Sequence, residues 1–169
     1  MTDRDGDPLE NTQLQAQYNN HSQYQSDLFE QYKLYVASAE KVSDRRQTSN
    51  SFFVTLNSVL VSMVAYMNSG IEGNVSFAWL VALAGVIVSY MWFRIVKSYK
   101  GLNGGKFQLL IELEKKLPVN LYQCEWETLG RGEDSSKYLS FTKIESIVPW
   151  VFILLHSVSF FYSLSLSVN

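Results

Sequence analysis

Val75 to Phe93, VSFAWLVALAGVIVSYMWF, holds no charged residue over a length close to the roughly 20 residues that cross a bilayer core. A backbone in hydrocarbon must satisfy its own amides and carbonyls, so the stretch reads as a membrane helix. Phe52 to Met67 is a second apolar run, separated from the first by the polar break Asn68 to Asn74. Asn57, Ser58 and Ser62 dilute it, but uncharged flanks from Gln47 to Ile71 let it reach a similar length. Together the two runs read as a transmembrane helical hairpin spanning residues 51–97.

Composition agrees once the chain is divided into segments. The 169 residues carry a net charge of −2, and mean hydropathy is near zero because polar and apolar segments average out. Nothing in this charge balance offers the basic stripe that nucleic acid requires. The single cysteine, Cys124, cannot form an intrachain disulfide, and no His or Cys spacing suggests a metal or cofactor. The first apolar run begins about fifty residues in, behind a polar acidic segment, so no cleavable signal peptide is expected.

Residues 1–22 are rich in Asp, Asn and Gln and are expected to be mobile. From Gln23 the residues Tyr24, Leu28, Tyr32, Tyr35, Ala39 and Val42 recur at steps of three and four, the period of an amphipathic helix. Ser22 and Gln25 suggest a capping box at its start. Neither Gly nor Pro occurs between Pro8 and Gly70, so a single rod from Gln23 to Asn68 is expected, about 70 Å long and projecting well beyond the bilayer. Arg45 and Arg46 precede the first span, Arg94, Lys97 and Lys100 follow the second, and the intervening turn has no Lys or Arg. By the positive-inside rule the N-terminus is cytoplasmic. Arg45, Arg46 and Arg94 are candidates for headgroup anchoring or for sensing a signal.

Gly101, Gly104 and Gly105 are expected to weaken or kink the second helix as it leaves the membrane. Helical spacing resumes over Lys106 to Leu117 until Pro118, and a short helix around Leu121 to Leu129 ends at Gly130. Residues 98–145 thus form a small cytoplasmic helical segment whose apolar stripe can cover the one on residues 23–50. Thr142 and Glu145 form a second capping-box signature. Ser146 to Asn169 has no formal charge. Its Ile, Val, Leu and Phe residues favour insertion by about −4 to −8 kcal/mol, making 146–169 a third transmembrane segment. The fold class is therefore an all-α integral membrane protein.

Each apolar segment carries small or polar residues at helical spacing: Ser51, Thr55, Ser58 and Ser62; Ala78, Ala82, Gly85 and Ser89; His156, Ser159, Ser163 and Ser167. Such ridges let membrane helices approach and hydrogen-bond, so the three are expected to close one bundle. The competing reading has some of them lining a watery path in an oligomer. Asn57 lies opposite the Ser58 and Ser62 ridge, and is expected to mark a second interface, between protomers. No nucleophile–base pair, phosphate-cradling Gly loop or zinc-protease motif is visible, so no enzyme is expected.

QYKLYVASAEKVSDRRQTSNSFF (31–53), WFRIVKSYKGLNGGKFQLLIELEKKLP (92–118) and EWETLGRGEDSSKYLSFTKIESIVPW (125–150) resemble the SLATT-type small bacterial integral membrane effectors associated with antiphage, nucleotide-signalling defence. Tyr32, Tyr35, Arg45, Arg46, Asn50, Phe52, Phe53, Lys106, Phe107, Pro118, Trp126, Gly130, Phe141, Glu145 and Pro149 carry the resemblance. It implies an inner-membrane homo-oligomer that answers a cytosolic sensor protein or nucleotide signal by breaching the bilayer. That family is described with two spans, whereas this chain offers three. The rival functions are a constitutive scaffold that anchors a cytosolic partner through Lys106 to Ser140, and a housekeeping channel subunit.

Overall fold

The computed structural model describes residues 9, 17–18, 20–69, 77–133, 136 and 144–168. The turn residues 70–76, Thr142 and most of the loop before it lie outside that set, and so do the expectations that fall on them. Among the described residues four α-helices follow in order: α1 (His21–Asn68), α2 (Ala78–Glu114), α3 (Leu121–Thr128) and α4 (Val148–Val168), with a 3-10 turn at Gly130–Gly132. There is no strand among the described residues. Three of the helices, α1, α2 and α4, are long and apolar enough to cross a membrane.

Helix α1 is one unbroken rod of 48 residues. It begins earlier than the expected Ser22 and Gln25 box: Asn20 is the cap, its side-chain oxygen accepting from the Ser22 backbone N–H at 2.9 Å. A short carboxamide is among the best acceptors for the orphan amides of a first turn, and here it is reached first. Helix α2 continues unbroken through Gly101, Gly104 and Gly105. The cost of about 1 kcal/mol per glycine falls between two buried positions of the same helix, Val96 and Leu110. It ends at Glu114, short of Leu117: the Lys116 and Leu117 amides bond only three residues back, to Leu113 and Glu114, and Pro118 follows, which disfavours helical backbone at the residue before it.

Helix α2 is the central element, packed along both α1 and α4, which touch each other little. Its buried face is Ala78, Ala82, Gly85, Ser89, Trp92 and Val96 within the apolar run, then Leu110 and Glu114 beyond it. Small side chains at steps of three and four bring the backbones close, which drives packing where the solvent is as apolar as the side chains. Around the waist Trp92 stacks on Phe53 at 5.9 Å, nearly parallel, and tilts against Phe152 at 6.0 Å. Pro149, fully buried, sits in the first turn of α4, where its missing N–H costs least. Large apolar side chains such as Phe52, Ile87, Leu154 and Phe161 point outward, a surface suited to lipid or to neighbouring copies.

Beyond the spans, the first half of α1 packs on the end of α2, which also carries α3. Lys106 donates to Ser38 Oγ at 2.8 Å and lies 4.6 Å over the Tyr35 ring. Glu114, 1% exposed, accepts from the Tyr32 hydroxyl at 2.9 Å. The same carboxylate accepts from the Tyr122 and Gln123 amides at the start of α3. A negative charge at a helix N-terminus satisfies orphan donors and complements the helix dipole, so one side chain ties α1, α2 and α3 together.

Candidate functional site

Midway along the spans, one buried polar cluster takes a side chain from each of the three long helices. Asn57 of α1, Ser89 of α2 and His156 of α4 are all 0% exposed. Asn57 Nδ2 donates to the Phe53 carbonyl at 2.8 Å, which leaves its Oδ1 as the acceptor. Ser89 Oγ lies 2.7 Å from that oxygen and 2.8 Å from the Gly85 carbonyl. His156 Nε2 lies 3.1 Å from Asn57 Oδ1. Because the oxygen can only accept, Nε2 is the donor in this contact. Nδ1 is buried without a hydrogen-bond partner among the described residues. The ring rests flat on α2 at Gly85: a Cβ there would stand 2.3 Å from His156 Nδ1 and Cε1.

The expectation that Asn57 faces a neighbouring protomer is corrected by this geometry. Asn57 is the hub inside one protomer. The Ser51, Thr55, Ser58 and Ser62 ridge, expected to close the bundle, is instead exposed along the outside of α1. Thr55, Ser58 and Ser62 each donate to a carbonyl one turn back, at 2.8–3.0 Å. The reason is valence. A hydroxyl satisfies itself on its own helix, whereas an amide with two donors and an acceptor needs partners from neighbouring helices.

Gly85 and Ser89 face inward. Ser163 is buried and meets Asn68, accepting from Nδ2 at 2.8 Å and donating to Oδ1 at 3.1 Å; Ser159 is half-buried. Arg45 and Arg94 are exposed, and Arg46 Nε lies 3.5 Å from Glu145 Oε2, joining α1 to the start of the third apolar segment. Asn50, whose Oδ1 accepts from Trp92 Nε1 at 2.9 Å, and Asn68 were not among the expected site residues. The signal was present: Asn50, Asn57, Val64 and Asn68 share one helical face.

The family model for octameric membrane proteins matches residues 29–165, which takes in α1 from its third turn, α2, α3 and nearly all of α4. The chain belongs to the octameric membrane protein family. No curated protein and no solved structure matches it. As a member of the octameric membrane protein family, the protein is a multi-pass membrane protein that works as a homo-oligomer in the bilayer.

Proposed function

We propose that this octameric membrane protein is an inner-membrane effector of a bacterial defence system, with its N-terminus in the cytoplasm, whose oligomer permeabilises the membrane on an infection signal. The observation that carries the reading is the outward Ser51, Thr55, Ser58 and Ser62 stripe, left over after Asn57 has closed the protomer. Four hydroxyl-bearing residues on one face of a lipid-exposed helix have little to gain from hydrocarbon, whereas an aqueous lumen solvates them. Eight α1 helices side by side at 8–10 Å spacing enclose a lumen about 5–8 Å in radius, wide enough for ions. The resemblance of residues 31–53, 92–118 and 125–150 to SLATT-type effectors supports the defence role. The continuity of α1 supports a route for the signal, from the cytoplasmic helices to the lumen.

The test is membrane depolarisation in bacteria, followed with a voltage-sensitive dye at matched membrane levels. Overexpression populates the assembled state by mass action, so the wild type is expected to depolarise cells. Ser58→Leu with Ser62→Leu is expected to abolish the flux while leaving insertion and oligomer size unchanged. Flux undiminished in that variant would remove the stripe from the pore. An inserted wild type that causes no flux, with or without phage challenge, would favour the scaffold reading. Depolarisation by wild type at native expression without any challenge would favour a housekeeping channel.

A further inference from the structure

A groove of about 500 Å³ runs between α1 and α3, outside the apolar spans. Phe29, Tyr32 and Val36 form one wall, Leu121 and Tyr122 the other, and Glu40 and Glu125 stand at the rim from opposite helices. Glu40 is twelve residues before Phe52 in a continuous helix, about 18 Å along the axis, so the groove lies past the headgroups and opens to water.

The two carboxylates at this groove are uncompensated. Glu30, Glu112 and Glu127 each have a cation one helical turn away: Lys33, Lys115 and Arg131. Glu40 and Glu125 have no ion pair among the described residues, and no Lys or Arg stands three or four positions from either. Lys33, the one cation lining the groove, is committed to Glu30 and lies 4.9 Å over the Phe29 ring. Buried Glu114 adds a further negative charge behind the wall. Their combined field reaches the groove wall: the Tyr122 phenol is pushed up by burial and then by Glu40, Glu114 and Glu125. Phe29 and Leu121 expose 48% and 66% of their surface beside these carboxylates.

We propose that this groove docks a segment of a cytosolic partner protein that presents a Lys or Arg beside a large apolar side chain. The basic group would sit between Glu40 and Glu125, and the apolar one would lie against Phe29, Tyr32 and Leu121, where aromatic faces also attract a cation. An open trough suits one face of a polypeptide better than a small molecule, whose sites enclose most of its surface. The inference stands apart from the pore: it holds for an effector or a scaffold.

The experiment uses the full chain in nanodiscs as bait for a displayed library of random 12-residue peptides. Enriched peptides are then titrated against an environment-sensitive dye on Cys124, the protein's single cysteine, which is exposed on α3. Enrichment is expected in Lys or Arg next to Trp, Phe or Leu. Glu40→Gln with Glu125→Gln is expected to weaken binding about tenfold or more, Phe29→Ala to weaken it, and added salt to weaken the wild type alone. Glu112→Gln, on another face, should change nothing. All these side chains are largely exposed, so melting temperatures are expected to hold. A library with no basic and apolar signature, or peptide binding indifferent to the Glu40 and Glu125 changes, would overturn the proposal. So would benzyltrimethylammonium binding as tightly as the best peptide, which would make the occupant a small organic cation.

Discussion

At the scale of single residues, Asn57 and Gly85 set how the spans meet. Gly85→Ala places a methyl group where the His156 ring lies. The ring must swing off α2, and its bond to Asn57 is lost with it. Overpacking of this kind costs about 1–3 kcal/mol. A fall in melting temperature of the detergent-solubilised protein is expected, reduced when His156→Ala is added to make room; equal losses in the single and double variants would contradict the contact. Asn57→Leu is expected to damage the protomer itself, because Ser89 and His156 lose their common acceptor inside a dry bundle. It is therefore a probe of folding and not of subunit contacts.

Tyr32 gives a pH prediction outside the membrane. Burial, then the hydrogen bond to Glu114 and its charge, hold the Tyr32 phenol well above the ordinary value of 10.0. A native state that keeps its proton longer than the unfolded chain loses stability as pH rises. The contribution is complete below pH 10.0 and declines above it. The wild type is expected to melt at progressively lower temperature above that pH. Tyr32→Phe is expected to show a shallower decline, with Tyr122 keeping part of it, since its phenol is raised too. An identical pH profile for the two proteins would remove Tyr32 from the linkage.

At the scale of elements, α1 is the piece that joins the extramembrane helices to the spans. Its continuity through Gln47 and Thr48 is a mechanical property, because a hydrogen-bonded helix transmits rotation and tilt along its length. Gln47→Pro removes one ladder bond and forces a kink at a cost of about 3 kcal/mol. If α1 couples a signal to the membrane, this variant inserts normally but loses signal-dependent depolarisation; full retention would rule out the rod as the coupler. On α2 the reverse change is open. A Cβ on Gly104 or Gly105 meets nothing within 4 Å, so Ala at both is expected to stabilise the helix by about 1–2 kcal/mol. An unchanged or lower melting temperature would mean that another copy comes close to this face in the oligomer.

At the scale of the whole molecule, the stretch Val75 to Phe93 and the uncharged Ser146 to Asn169 are enough to predict an all-helical membrane chain, since length without charge leaves few alternatives in water or lipid. The rod of α1 follows from the absence of Gly and Pro. Which face of each helix turns inward does not follow, because spacing marks a stripe without saying what it meets. On α1 two stripes competed, hydroxyls on one side and Asn50, Asn57 and Asn68 on the other. Only the assembled protomer decided between them, since carboxamides need partners across a helix interface and hydroxyls do not. The same holds for Glu114, one carboxylate among several in the sequence, whose role as cap and cross-link depends on Tyr32 and Tyr122 being folded onto it from far along the chain. Local pattern determined the elements of this protein, and hydrogen-bond valence, satisfiable only in three dimensions, determined their arrangement.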